Sequence, residues 1–322
     1  MRAVRCESYT SVDELRVSEA AVPEIGPDQL LLRVEASSVN PFEFHMSTGT
    51  PYFLRLTNGL RRPKSPTLGS DVAGEVVAVG AEVDGFAVGD RVVGGADGAF
   101  AEFAVSKPKH LTHRPDSMSA EDGGPLSIAG LTALQGLRDS GQVEAGQRVL
   151  IVGAGGGVGT YAVQIAAAMG AEVTGVCSTG KVDLVRSLGA HQVVDYTTDD
   201  ALAEEGAYDV IFDVAGGASV GRFLRALAPG GRYVMASGDK SKRWLGPIPR
   251  VIGALIRSRF SSRTAVMFIA SVSGEDMAEL VALYERGELR TVIGHRFTLA
   301  EIAEALAVIE DGHATGNVLV SP

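Results

Sequence analysis

Short apolar runs alternate with turn residues along the whole chain, and the kind of run changes near residue 125. Before it, "LLLRVEASSVN", "DVAGEVVAVG", "DRVVGG" and "FAEFAVS" are β-branched stretches separated by Gly and Pro, the pattern of strands in a compact all-β unit. After it, "QRVLIVGA", "AEVTGVCS", "HQVVDY", "YDVIFDVAG", "GRYVMASG" and "TAVMFIAS" are short runs of the kind buried on both faces of a parallel sheet. Between them, "GGVGTYAVQIAAAMG", "KVDLVRSLGA", "ASVGRFLRALAPGG" and "SGEDMAELVALYERGEL" have helical spacing, and several close on Gly as a C-cap would. The alternation predicts a doubly wound α/β domain with a parallel sheet and right-handed crossovers. No internal repeat or low-complexity tract interrupts it.

Composition narrows the partners. With 322 residues, 45% hydrophobic and 21% charged, the chain has material for one large domain or two ordinary ones, which excludes a disordered or fibrous protein. A net charge of -10 and a pI near 5.2 argue against nucleic acid, whose binding relies on clustered Lys and Arg, and favour a small molecule. "MRAVRCESYT" has no apolar core of a signal peptide and no run of about eighteen apolar residues occurs, so a soluble cytoplasmic protein is the expectation. Cys6 and Cys177 are too few for a disulfide framework and read as small buried side chains.

One stretch carries candidate chemistry. In "IVGAGGGVGTYAVQIA", Ala154, Gly156 and Gly159 occupy the three positions of a G-x-G-x-x-G fingerprint, after a strand and opening a helix. A small residue at 154 makes the tight turn, and Gly156 lets the backbone approach a pyrophosphate. Gly159 lets helix and sheet pack closely, so that the N–H groups of the first turn, with Gly157 and Val158, point at the anion. A glycine-rich turn without a ligand is the bland alternative, and the run of alternating strands weighs against it. An acidic residue at the end of the second strand would hold the ribose 2′-OH of NAD. Here the end reads "VCSTGKVD": Ser178, Thr179 and Lys181 offer hydroxyls and a cation where a carboxylate would repel a 2′-phosphate. Glu172 lies at the wrong end of the strand, and Asp183 reads as a solvated residue of the next helix. NADPH is therefore favoured over NADH.

Taken together, "GAGGGVGTYAVQIA", "GAEVTGVCST", "VNPFEFH", "LGSDVAGEVVAVG", "FAVGDRVVG" and "AGLTALQGL" resemble the medium-chain dehydrogenase/reductase superfamily in its zinc-independent quinone oxidoreductase branch, over nearly the whole chain. The resemblance implies a GroES-like β-barrel domain at 1–125, completed by 292–322 with "GNVLV" as a strand, a Rossmann domain at 126–291, and an active-site cleft between them. By the same analogy a homodimer forms through the edge of the Rossmann sheet. Zinc members of the superfamily resemble one another in a Cys of "C-G-T-D"-like sequence, a "G-H-E" pair and a four-cysteine lobe. Here Asn40 opens "NPFEFH", "GSDVAG" replaces the pair and the lobe is missing, so no metal is expected.

Without a Lewis acid, the substrate must accept hydride readily, as a quinone or an α,β-unsaturated ketone does, because the charge delocalises onto a carbonyl oxygen. The resemblance implies that Asn40 lies beside the nicotinamide pocket; as a turn former before Pro41 it would have no such role. His45 and Tyr52 are the candidate proton donors, although "GTPYFLRLTNGLRRPKSP" is longer than the matching loop of the simplest quinone reductases. Further cofactor contacts carried over from the family are Thr132, Tyr196 over the 2′-phosphate, and Val214, Ala215 and Gly216. Ala236, Ser237, Phe268 and Ile269 belong to the same set, although these last four could equally be core packing. "KSKRWLGPIPRVIGALIRSRFSSR", residues 240–263, holds the only Trp and alternates apolar residues with Arg. It reads as a lid, a dimer contact or an interfacial helix; the lid is preferred because the strand after it should reach the nicotinamide, and a membrane partner is not expected. The leading function is an NADPH-dependent quinone or enone reductase. The alternative is a non-catalytic NADPH-binding redox sensor or scaffold.

Overall fold

The computed structural model describes residues 1–236, 246, 248–259 and 261–322. The chain divides into two compact units, Met1–Leu131 with Ser271–Pro322, and Thr132–Ala270. The first unit begins with β1 (Arg2–Val4), β2 (Val17–Glu19), β3 (Leu30–Val39), β4 (Asp71–Val79), β5 (Arg91–Gly95), β6 (Phe103–Ser106) and β7 (Leu111–His113). The second is built on β8 (Arg148–Val152), β9 (Glu172–Cys177), β10 (Gln192–Asp195), β11 (Tyr208–Asp213), β12 (Leu227–Met235) and β13 (Thr264–Met267). The chain then returns to the first unit with β14 (Ile293–Thr298) and β15 (Asn317–Ser321).

In the first unit the sheet runs β14-β15-β3-β4-β5-β7, with β6 on β3. β3 shows why it is a strand: Leu30, Leu32, Val34 and Ala36 alternate inward and are buried, while Arg33 between them is exposed. β15 closes the unit by pairing antiparallel with β3, Val318 opposite Val39 and Val320 opposite Ser37. Ahead of it, Ile302, Ala305 and Leu306 bury one face of the helix Ile302–Asp311, which ends on Gly312 at φ +78. They share a core with Val4, Leu68, Phe100 and Val318.

In the second unit every strand pairing is parallel, in the order β10-β9-β8-β11-β12-β13. Numbered from its own first strand, that order is 3-2-1-4-5-6, the doubly wound arrangement that the alternation of strands and helices predicts. The register puts the strand ends in one row: Val152 is level with Val176 and Asp213, Asp213 with Met235, Met235 with Met267, and Cys177 with Asp195. The residues that follow them share one edge.

One assignment changes. The helix Gly274–Glu285, read from sequence as part of the Rossmann domain, groups with the first unit. It lies so close over β7 that a Cβ on Gly274 would come within 2.5 Å of the Leu111 carbonyl oxygen. Tyr284 Oη then donates to Asp122 at 3.0 Å, and Thr291 Oγ1 to the Asp122 carbonyl at 2.7 Å. The basic segment 240–263 is in its described part, Ile248–Arg259, the crossover helix that joins β12 to β13 and packs on the latter. Ala254 is fully buried in the core of this unit, with Val251 packed against it. Residues 240–245, including Trp244, with 247 and 260, lie outside the described residues, as does Ser237. No described helix is long and apolar enough to cross a membrane.

Candidate functional site

In the second unit β8 is followed by Gly153, which takes φ +88, and the N–H groups of Gly153 and Ala154 both donate to the Val176 carbonyl, at 3.1 and 2.9 Å. A left-handed residue here turns the chain sharply, and only glycine adopts it without strain. Ala154 is fully buried against the sheet. Gly156 is the N-cap of the helix Gly157–Ala168 and accepts from Thr160 N at 2.9 Å. The glycine requirements differ in kind: a Cβ on Gly159 would sit 2.0 Å from the Gly153 carbonyl oxygen, whereas one on Gly156 would meet nothing closer than 3.6 Å. Gly159 thus answers to helix–strand packing. Gly156, Gly157 and Val158 are partly exposed and leave the backbone N–H groups of the first turn open to an anion.

Lys181 lies against this turn, its Cδ 2.6 Å from where a Cβ on Gly155 would stand. It is half-buried, and burial pulls its ammonium below the usual lysine range. Ser178 is half-buried, and its carbonyl accepts from Lys181 N at 2.9 Å. Tyr196 leaves β10 with its side chain exposed while its N–H donates to the Cys177 carbonyl at 3.1 Å, which stitches the two strand ends together. Asp183 is solvent-exposed and paired with Arg186 at 3.1 Å. The edge also carries an acid that the sequence reading did not weigh: Asp195 accepts from Thr197 N and Oγ1 at 2.9 and 2.7 Å. Hydrogen bonds from Thr179 and Thr197 hold it below the usual carboxylate range.

Further along the row, Val214 N donates to the Val152 carbonyl at 3.1 Å, Ala236 N to that of Asp213 at 3.0 Å and Phe268 N to that of Met235 at 3.1 Å. Val214, Ala236 and Phe268 are half-buried and Ala215 and Ile269 exposed, so the row is open in part. Beneath it, Asp213 Oδ1 accepts from Gly216 N at 2.6 Å and Oδ2 from Tyr233 Oη at 2.7 Å and Arg250 Nη2 at 2.8 Å. Burial, then the Asp213 charge, pushes the Tyr233 phenol far up. This network braces the turn after β11. Thr132, half-buried, stands at the first residue of the second unit in the helix Leu131–Gln135.

The first unit holds a separate cluster. Asn40 caps the helix Pro41–Thr48, is buried, and accepts no exposed role: its N–H donates to Glu43 Oε2 at 3.0 Å, and its Nδ2 to Ser38 Oγ at 3.1 Å and Asp71 Oδ2 at 2.9 Å. Both amide hydrogens are engaged, by Ser38 and by Asp71. Asp71 Oδ1 accepts from Ile128 N at 2.7 Å. Burial pushes Asp71 up to about 6, with Ser38, Ile128 and Asn40 opposing. Burial, and then the neighbouring Asp71, pushes Glu43 up to about 8. The cluster is therefore an acid pair holding one proton at neutral pH, carried by Glu43. Sequence reasoning missed it. Its signals were an acid three residues after Asn40, the spacing of a capping box, and an acid inside an apolar strand.

His45 sits in the last turn of the same helix, half-buried, with Nδ1 2.6 Å from the Thr50 carbonyl oxygen. Because a carbonyl only accepts, Nδ1 bears the hydrogen in this contact. Tyr52 is half-buried, its ring covered by the Arg55 guanidinium at 4.7 Å, which also lies over Tyr9 at 4.4 Å. Among the described residues no group of three or more His, Cys, Asp or Glu is placed to hold a metal ion.

Residues 26–116 match the family model described as alcohol dehydrogenase GroES-like domain, and residues 188–320 the one described as zinc-binding dehydrogenase. A chloroplastic quinone-oxidoreductase of Triphysaria versicolor, QR1, is 34% identical over 100% of this chain and 98% of its own length. The 2-methylene-furan-3-one reductase of Solanum lycopersicum is 29% identical over 100% of this chain and 79% of its own. Among solved structures, a mycobacterial protein complexed with NADPH superposes with a TM-score of 0.84 at 26% identity, covering 100% of both chains.

Proposed function

The chain belongs to the quinone oxidoreductase-like branch of the medium-chain dehydrogenase/reductase superfamily, and on that footing we propose that it is an NADPH-dependent reductase of quinones or α,β-unsaturated ketones. The observation that carries the reading is the edge of the six-stranded sheet. There the turn 153–159 offers free helix N–H groups to a pyrophosphate, with Lys181, Ser178 and the exposed Tyr196 ring beside it for a 2′-phosphate. Related proteins bear names that fit: one a quinone-oxidoreductase, one a reductase of an enone, one complexed with NADPH.

Bound at this edge, NADPH supplies a hydride from its nicotinamide ring. The chain's own part is to bind, orient and exchange protons. The turn and Lys181 hold phosphate. The row Val214, Ala215, Ala236, Phe268, with Ile269 beyond it, presents small and apolar surface to the rest of the dinucleotide, and Thr132 offers a hydroxyl. His45 Nε2 is a proton donor for the reduced oxygen, with the Tyr52 hydroxyl as the second candidate. No catalytic metal takes part in this reading. Where zinc relatives carry a thiolate this chain has an amide whose hydrogens are already committed to Ser38 and Asp71.

Steady-state NADPH oxidation with a panel of quinones, enones and simple aldehydes tests the reading. Turnover of quinones or enones but not of aldehydes is expected. Tight NADPH binding with no turnover across the panel would instead indicate a non-catalytic sensor or scaffold.

A further inference from the structure

The chain carries a net charge of -10, yet residues 44–70 hold four basic residues and no acidic one. Arg55 is committed within the fold: its guanidinium lies over the Tyr9 and Tyr52 rings, and its Nε donates to the Gly49 carbonyl at 2.9 Å. Arg61, Arg62 and Lys64 are exposed, and none of them forms an ion pair or a side-chain hydrogen bond with a described residue. Interleaved with them, Leu56 and Leu60 are 75% and 68% exposed, the highest values among the large apolar side chains of the first unit.

The turn that presents these side chains is fixed at its base. Lys64 N donates to the Asn58 carbonyl at 2.7 Å and Tyr9 Oη to the Gly59 carbonyl at 2.6 Å. Gly59 takes φ +116, and a Cβ there would stand 2.2 Å from the Arg62 carbonyl oxygen. A turn held in this way presents its side chains without first having to be ordered. It also walls a cavity of about 130 Å³, to which Asn58, Pro63 and Ser65 contribute together with Phe42 and Met46.

We propose that the turn 55–64 docks the first unit on an anionic lipid surface, with Leu56 and Leu60 entering the headgroup boundary and Arg61, Arg62 and Lys64 meeting lipid phosphates. Two leucines in water beside three unpaired cations fit a partner that is apolar and negative at once, and a bilayer surface is both. A small anion or a nucleic acid would satisfy the cations and leave the leucines in water. A protein interface engages about 20–30 residues a side, more than this turn exposes. The acidity of the whole chain does not oppose the contact, because at physiological salt charges beyond about 8 Å are largely screened. One consequence rests on the reductase reading: a cavity walled by a lipid-docked turn favours quinones and enones dissolved in the bilayer over those dissolved in water.

The full chain would be sedimented with vesicles of phosphatidylcholine and with vesicles of phosphatidylcholine mixed with phosphatidylglycerol. Binding to the mixed vesicles should be tighter by about 10-fold or more, and should fall steeply at about 1 M salt, where the Debye length shrinks to about 3 Å. Arg61→Gln, Arg62→Gln and Lys64→Gln together should weaken it by about 10²-fold, since each cation near such a surface is worth about 5-fold. Leu56→Ser with Leu60→Ser should weaken it by about 10-fold or more. Ile256→Ser, an equally exposed apolar change on the helix Ile248–Arg259, should bind as the unmodified chain does. Circular dichroism checks that each variant keeps its fold.

The proposal fails if the unmodified chain does not bind the mixed vesicles, if the leucine change or the charge change leaves binding intact, or if Ile256→Ser weakens it as much, which would place the contact on the second unit. Binding of polyglutamate that is indifferent to the leucine change would assign the turn to an acidic protein and also overturn the proposal. NADPH oxidation with a water-soluble short-chain quinone, and with a long-chain quinone carried in the mixed vesicles, separates the two levels. The leucine change should slow only the second. Vesicle binding through the turn without turnover of either quinone leaves the docking surface standing and removes the reductase reading. Turnover of both without vesicle binding does the reverse.

Discussion

The guanidinium of Arg250 lies 2.8 Å from the Asp213 carboxylate, which is only 3% exposed. It joins the helix Ile248–Arg259 to the end of β11, and Arg250 Nη2 also reaches Tyr233 Oη at 2.7 Å. Removing one partner leaves a buried charge with less compensation. Arg250→Met should cost about 2–3 kcal/mol of stability, below the range for a fully buried pair because the guanidinium is 21% exposed. Tyr233→Phe should cost about 1 kcal/mol. Urea unfolding measures both, and an unchanged midpoint for Arg250→Met would mean that Tyr233 and the backbone N–H groups of the turn hold Asp213 unaided.

The turn after β8 should separate packing from binding. Gly159→Ala places a Cβ 2.0 Å from a carbonyl oxygen and must displace the helix or the turn. A stability loss of about 2 kcal/mol or more is expected, with loss of NADPH binding. Gly156→Ala adds a methyl with ordinary contacts, so thermal unfolding should stay within about 0.5 kcal/mol of the unmodified chain while NADPH affinity falls. Equal stability losses in the two variants would contradict the division of roles.

Cofactor preference should turn on the loop after β9. The double change Lys181→Glu and Ser178→Asp replaces attraction by repulsion at the 2′-phosphate. A charge-assisted hydrogen bond is worth about 1.5–3 kcal/mol, so NADPH should weaken by about 10-fold at the least and NADH far less. Fluorescence titration with both nucleotides is the check. If NADPH affinity does not change, the 2′-phosphate is held elsewhere.

The acid pair gives stability a pH dependence of known sign. Glu43 has a folded value of about 8 against an ordinary value of 4.5. Between these the folded chain keeps a proton that the unfolded chain releases, so stability falls as pH rises through this window. The slope is at most about 1.4 kcal/mol per pH unit. Asp71, raised from 3.8 to about 6, adds the same sign over its own narrower window. In Glu43→Gln the fall between pH 6 and pH 8 should flatten. Chemical denaturation at a series of pH values reads this, and parallel curves for the two proteins would show that Glu43 is ionised in the fold.

β13 is an edge strand, with Met267 exposed by 44% and Ile269, just after it, by 80%. Apolar side chains on an open edge favour pairing with a second copy. If a homodimer forms there, Ile269→Lys should shift the mass measured by light scattering from two chains toward one. A monomeric unmodified chain, or a dimer indifferent to the change, would remove the expectation.

The alternation of apolar runs and helical spacing was enough to indicate the parallel sheet, because burial on both faces leaves a signature within each strand. The turn at 153–159 was equally legible: left-handed backbone and close packing are demands on single residues, and only Gly meets them at Gly153 and Gly159. Partners remote in sequence were not legible. The helix Gly274–Glu285 looks like any other amphipathic segment, and only the contact of Gly274 with the Leu111 carbonyl and the bonds to Asp122 assign it to the first unit. Arg250 read as one basic residue among several until the fold set it beside Asp213. Asn40 was expected beside the nicotinamide pocket by resemblance alone, and its hydrogen bond to Asp71, thirty-one positions away, was not legible. Glu43 drew no attention in the sequence. Periodicity and turn preference are local properties written in neighbouring residues, whereas the protonation of Glu43 depends on desolvation and on a charge from another strand, and those exist only once the chain has folded.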